Sequence, residues 1–188
     1  MKVYLSGKMT GLKEEKIWSN FRKVETWLAD KEANDGEAVE AIESIMNPAV
    51  TYAMQKYSAF SYEDWLHVDF AMLDACDAVC LLPNWKDSMG AKREIAYAYK
   101  HGKEVFYPNF IPANGRPLFK IDGKKYNNFY IDEKLTKQVA LEVEKYDTRK
   151  ALDNLLDDLC ERKAKETLEE EVGQIRARWD TYSRCRWN

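Results

Sequence analysis

The stretch Asp77-Ala78-Val79-Cys80-Leu81-Leu82-Pro83-Asn84-Trp85-Lys86-Asp87-Ser88-Met89-Gly90-Ala91-Lys92-Arg93-Glu94, continuing through Ile95 to Gly102, decides the fold class of this chain. The apolar run Ala78 to Leu82 has the length of a buried strand, and Pro83-Asn84 ends it. Ser88 is placed to cap a helix, because its hydroxyl can accept from an amide of the first turn. Gly90 permits close approach to the backbone, and Gly102 stops the helix. Strand, polar loop and helix make half of a βαβ unit. In open sheets of such units, ligands bind beside the carboxyl ends of the strands. Glu94 falls about one and a half turns into the helix, near that edge. A carboxylate there is a candidate nucleophile, or an ordinary acid favoured by the helix dipole.

Outward from this stretch, strand and helix signals alternate. Lys2 to Ser6 predicts a first strand, followed by the loop Ser6-Gly7-Lys8-Met9-Thr10-Gly11, whose amides can face an anion. Ile17, Phe21, Val24 and Leu28 recur at helical spacing. The acidic segment from Asp30 to Glu43 is expected to be a solvated connection with a short helix. Ser44 to Pro48 predicts a brief second strand, and Ala49 to Ser58 a loose helical turn or lid. Ser61 caps a helix to Asp74, with Trp65, Val68, Met72 and Leu73 as its apolar face and Asp69 in its second half. Lys103 to Tyr107 is a further strand. Pro108 to Asn128 is expected to be a long loop, Asn128 to Ile131 a last strand, and Glu133 to Tyr146 a helix. Alternation of this kind predicts a parallel sheet covered on both faces.

From Asp147 the composition changes. Leu152, Leu155, Leu156 and Leu159 keep helical spacing, as do Ala164, Leu168, Val172, Ile175 and Trp179, among interspersed charges of both signs. This predicts a long amphipathic helix or helical hairpin whose stripe meets the core or a partner chain. Two domains are thus expected, residues 1–146 and 147–188.

The chain of 188 residues has a formal charge of −3, 32% charged residues and a mean hydropathy of −0.61. No apolar run approaches the ~20 residues a membrane helix needs, and because Met1 leads directly into a predicted strand, no signal sequence is expected. The acidic balance argues against a nucleic-acid partner, although Arg176, Arg178, Arg184 and Arg186 stand among Trp179, Tyr182 and Trp187. Cys76, Cys80, Cys160 and Cys185 form no CxxC pair, which suits a reducing cytoplasm. His67 and His101 lack metal-ligand spacing, so no metal and no other cofactor is expected.

Three pieces then coincide: Tyr4-Leu5-Ser6-Gly7 on the first strand, Asp69 eight residues before Asp77, and Ser88-x-Gly90-x-x-x-Glu94 at a helix start. Together they resemble the nucleoside 2-deoxyribosyltransferase superfamily, which includes the 2′-deoxynucleoside 5′-phosphate N-hydrolases. The resemblance covers Met1 to Tyr107 and, more loosely, Asn128 to Tyr146. The expected fold is α/β, a flavodoxin- or Rossmann-like parallel sheet flanked by helices, with a C-terminal helical extension. The activity implied is cleavage of the N-glycosidic bond of a 2′-deoxynucleoside 5′-monophosphate or nucleoside, through a glycosyl ester on a glutamate. Water or a second base resolves the ester. Glu94 occupies the nucleophile position, Asp69 that of the acid that protonates the departing base, and Tyr4 that of the tyrosine orienting glutamate and sugar.

Ser88 separates the branches. Transferases acting on free nucleosides tend to carry an aspartate there, whereas nucleotide hydrolases carry serine, which welcomes a phosphate at a helix start. Lys8 and Gly90 would assist. The candidate binding set is Ser6, Gly7, Lys8, Asp77, Trp85, Ser88 and Gly90. Trp85, Tyr57, Phe60 and Trp65 are candidate base-stacking aromatics. A homo-oligomer with the C-terminal helix at its interface is expected. Two alternatives stay open: base exchange on free nucleosides, and a nucleotide-binding or assembly protein without turnover.

Overall fold

The computed structural model describes residues 1–29, 42–55, 58–110, 119–121 and 124–185. Its elements, in chain order, are β1 (Lys2–Ser6), α1 (Glu14–Ala29), β2 (Ser44–Met46), α2 (Ala49–Gln55), α3 (Tyr62–Asp74), β3 (Ala78–Leu81), a 3₁₀ turn (Trp85–Asp87), α4 (Met89–Lys100), β4 (Glu104–Phe110), β5 (Phe119–Ile121), β6 (Lys124–Ile131) and α5 (Glu133–Cys185). They form an α/β fold of the flavodoxin- or Rossmann-like kind, with one six-stranded sheet in the order β2-β1-β3-β4-β6-β5. The pairs β1–β2, β1–β3 and β3–β4 are parallel, and β4–β6 and β5–β6 are antiparallel. The strand order reverses at β1, between β2 and β3, and ligand crevices of doubly wound sheets lie at such a point.

Period-two alternation sorts each strand between two cores. Val3, Leu5, Ala78, Cys80 and Phe106 face α1, where Ile17, Phe21, Val24 and Leu28 supply the stripe. Tyr4, Val79, Leu81, Val105 and Tyr107 face α3 and α4, together with Val139 and Val143 at the start of α5. The same alternation places Ser6 on the face of Tyr4, because they lie two residues apart on β1.

Two expectations fail. The described parts of the expected loop from Pro108 to Asn128 are strand: β4 continues to Phe110, β5 follows at Phe119–Ile121, and β6 begins at Lys124. Pro108 is tolerated because pairing of β4 with β3 ends at Phe106, so beyond it β4 has only β6 as a neighbour. The buried stripe of α3 is also rotated from its expected face. It comprises Leu66, Asp69 and Leu73 rather than Trp65, Val68, Met72 and Leu73, so an acid stands at the centre of the face that meets the core. The expected connection from residue 30 to 41, Tyr57, residues 111–118 and 122–123, and the terminal residues 186–188 lie outside the described residues, as do the side chains from 178 onward.

The chain divides into two units, Met1–Glu144 and Lys145–Asn188. The described residues of the second, through Cys185, form one helix and no hairpin, and its Leu152, Leu155, Leu156, Leu159, Leu168, Val172 and Ile175 are exposed. Among the described residues, no helix is long and apolar enough to cross a membrane.

Candidate active site

Ser6 ends β1, and its carbonyl accepts from the Leu82 amide at 2.7 Å, which fixes the mouth between β1 and β3. The next residue, Gly7, passes so close to β3 that a Cβ would sit 2.7 Å from that of Leu82. Only glycine fits this path. The Lys8 amide then donates to Asn84 Oδ1 at 3.1 Å, tying the first loop to the segment after β3.

Ser88 caps α4, its hydroxyl accepting from the Ala91 amide at 3.2 Å. The first turns of α4 therefore start at the sheet edge and carry Glu94 inward. Glu94 is only 4% exposed. Tyr4 donates its hydroxyl to Glu94 Oε1 at 2.7 Å, and Ser6 donates its hydroxyl to Oε2. Both carboxylate oxygens are thus held by neighbouring positions of one strand. Ser61 fixes the start of α3 through a capping box with Asp64, its amide donating to Oδ2 at 2.8 Å. Two turns on, Asp69 is 8% exposed, and its Oδ1 has no hydrogen-bond partner among the described residues.

Both carboxyls face one cavity of about 370 Å³. Its walls come from the first loop (Gly7 to Gly11), from Tyr52 of α2, from Phe60 to Asp69 around α3, and from Ser88 to Glu94 of α4. The Phe60 and Trp65 rings lie 5.4 Å apart at its apolar side.

Burial raises the Asp69 carboxyl to about 7, and burial together with the Asp69 charge raises Glu94 to about 8. Two such groups cannot both ionise cheaply, so the pair retains a proton near neutrality. The order of those values would put that proton on Glu94. The hydrogen bonds put it on Asp69, because Glu94 receives two that favour its ionised form, and the unpartnered Asp69 Oδ1 would leave a buried charge unsatisfied. The Tyr4 phenol is raised by burial and then by Glu94 and Asp69, so it stays protonated and donating.

Of the residues singled out from sequence, Tyr4, Ser6, Asp69 and Glu94 converge, and Gly7, Ser88 and Gly90 line the cavity. Three do not join them. Asp77 lies at the amino-terminal edge of the sheet, where it accepts from the Lys2 amide at 2.7 Å. Trp85 is a core residue packed edge-on to Tyr107 at 5.4 Å, its indole taken up by the hydrophobic cluster under α4. Lys8 joins the loop through its backbone, and its side chain is not part of the cavity wall. Tyr62, which does line the cavity, is visible in the sequence only as the residue after a helix cap. Among the described residues, no group of three or more His, Cys, Asp or Glu is placed to hold a metal ion.

Residues 1–107 match a family model described as a domain of unknown function, DUF4406. That span contains every residue of the cavity. No curated protein and no solved structure matches the chain.

Proposed function

The chain belongs to the DUF4406 family, and we propose that its α/β unit is an enzyme that cleaves the N-glycosidic bond of a 2′-deoxynucleoside 5′-monophosphate or nucleoside. The observation that carries this is the pair of buried carboxyls on one cavity, Glu94 oriented by two hydrogen bonds and Asp69 with its Oδ1 unpartnered among the described residues. Retaining glycoside cleavage requires two carboxyls in these two roles.

Glu94, ionised, attacks the anomeric carbon. The bond from that carbon to the base nitrogen breaks, and Asp69 gives its proton to the departing base. The product is a glycosyl ester of Glu94. A water then attacks the same carbon, Asp69 takes a proton from it, and the ester bond returns its electron pair to Glu94. The sum is nucleoside plus water giving free base and sugar, with both carboxyls restored. Tyr4 and Ser6 hold Glu94 so that an oxygen faces the sugar. Phe60 and Trp65 offer a stacking surface for the base, and the start of α4 at Ser88 and Gly90 suits a phosphate.

The test is incubation with a panel of nucleosides and 5′-monophosphates, with chromatography for free base and mass spectrometry for a sugar adduct on Glu94. Base release that requires an added acceptor base would assign the exchange reaction instead. Nucleotide binding without release of base from any substrate would sink the enzymatic reading and leave a binding protein.

The same reading extends to setting. Cys76 and Cys80 are free buried thiols and Cys160 is free and exposed, which suits a reducing cytoplasm. The exposed leucines of the second unit suit pairing with a second copy of the chain.

A further inference from the structure

The cavity joins acids to aromatic rings. Tyr52 of α2, Phe60 ahead of α3, and Tyr62 and Trp65 of α3 bring four rings to its wall. Among the described residues, the charged side chains of that wall are Asp69 and Glu94, both acidic. With one proton held on the pair near neutrality, the wall carries a net negative charge. Arg93 does not cancel it. Its guanidinium is met by Glu63 at 3.1 Å, and neither residue belongs to the cavity wall.

Both kinds of group favour a cation. An aromatic ring presents negative potential at its face, and a buried carboxylate is poorly screened by water. The Phe60 and Trp65 rings lie 5.4 Å apart with their planes tilted by 54°. Rings set this way form a corner, which meets a charged ring on two sides. One cation already lies against a ring of this group, since the Arg93 guanidinium is 6.0 Å from the Tyr62 ring centre. The proposed reaction makes the same demand. A proton arriving from Asp69 puts positive charge on the base before its bond to the sugar breaks. A wall that suits this transition state also suits a base that is charged from the start.

We propose that the cavity receives a base with a fixed positive charge, a purine alkylated at a ring nitrogen, and that nucleosides of such bases are substrates of the same two carboxyls. The inference rests on the N-glycosidase reading and adds to it the charge class of the base. Glu94 attacks the anomeric carbon, and the bond from that carbon to the ring nitrogen breaks. Its electron pair neutralises the ring, so the base leaves uncharged and needs no proton from Asp69. Water then attacks the same carbon, the ester bond returns its electron pair to Glu94, and a proton of that water passes to solvent. The sum is charged nucleoside plus water giving neutral base, sugar and a proton.

The experiment has a binding arm and a turnover arm. Calorimetry on the wild-type chain compares 1-methylpyridinium-3-carboxamide with its neutral isostere 3-methylbenzamide, neither of which has a bond to cleave. The cation should bind about tenfold more tightly, and Trp65→Leu, with its fold checked by melting temperature, should shrink that preference. Equal binding, tighter binding of the neutral compound, or no binding of the cation would overturn the proposal. In the turnover arm, base release in the first turnover is read by chromatography below pH 7, corrected for the uncatalysed rate. Asp69→Asn should slow release from 2′-deoxyguanosine by at least about a hundredfold, and from its charged 7-methyl derivative by less than about fivefold. Equal losses on both substrates would overturn it. Release of base from neutral nucleosides without a preference for the cation leaves the N-glycosidase reading standing and ends this inference. Release of base from no substrate ends the N-glycosidase reading and the turnover half of the proposal, and the calorimetric preference then decides the binding half alone.

Discussion

The two units of this chain depart from the ordinary partition of side chains in opposite directions. The α/β unit buries two acids, Asp69 and Glu94, at the end of its sheet. The helical unit leaves Leu152, Leu155, Leu156 and Leu159 about half exposed. In the α/β unit the departure is compensated from within. Tyr4 and Ser6 hydrogen-bond both oxygens of Glu94, and Asp69, whose Oδ1 has no partner among the described residues, lines a cavity. In the helical unit the exposed stripe has no such compensation from the charges between its leucines, since charges do not desolvate a methyl group. A buried charge with partners points to chemistry inside the molecule, and an uncovered apolar stripe points to a surface outside it.

The largest effect expected is on Glu94. Glu94→Gln should lower base release by at least about a thousandfold, since a neutral amide cannot form the glycosyl ester. Chromatography of the free base measures it, and undiminished release would end the proposed division of roles. Asp69→Asn comes next, at roughly a hundredfold to ten-thousandfold, the range for loss of a general acid. In wild type, the rate should fall as pH rises beyond about 8, where the pair gives up its remaining proton. Asp69→Asn should lack that limb, and a variant that kept it would move the acid elsewhere.

The buried pair also predicts a smaller effect on stability. Both carboxyls are raised above the unfolded range of about 4, so between there and about 8 the folded chain binds more protons than the unfolded one. Stability from this pair is full below the unfolded range and is lost as pH rises through the folded values. The melting temperature of Glu94→Gln relative to wild type should therefore climb between pH 5 and pH 8, read by calorimetric scans at matched salt. A flat difference would mean that the site is wetter than its burial implies.

The smallest effect on stability belongs to the helical unit. Leu155→Glu combined with Leu159→Glu should change the melting of the α/β unit by no more than a surface substitution does, about 0.5 kcal/mol. It should abolish self-association seen by sedimentation. A wild-type chain that sediments as a monomer would remove the second copy as the partner of this stripe.

Much of the α/β unit was legible because its signals are local. Capping by Ser61 and Ser88, the 3.6-residue stripe of α1 and the short apolar runs of β1 and β3 each depend on neighbours within a few residues. That Glu94 and Asp69 share one cavity was expected only through a resemblance in spacing, which carries no distances. Three features were not. Pro108 looked like the start of a loop, because nothing nearby in the chain tells that β4 has one neighbour beyond Phe106. Trp85 and Asp77 looked like site residues from their places beside β3, yet one is turned into the core and the other stands at the opposite edge of the sheet.

The rotation of α3 shows where the boundary falls. Its sequence permits two apolar faces, and the one including Trp65 carries more apolar surface. Packing against α4 selects instead the face with Leu66, Asp69 and Leu73, at the expense of a buried acid. The alternation that puts Tyr4 and Ser6 on one face of β1 is written in the chain itself, because it follows from the two-residue period of any strand. That this face meets Glu94, about ninety residues away, depends on β1 lying beside β3 and on α4 packing back across both. Local order arises from steric and hydrogen-bonding preferences of adjacent residues, whereas the site arises from contacts that exist only once the sheet has assembled.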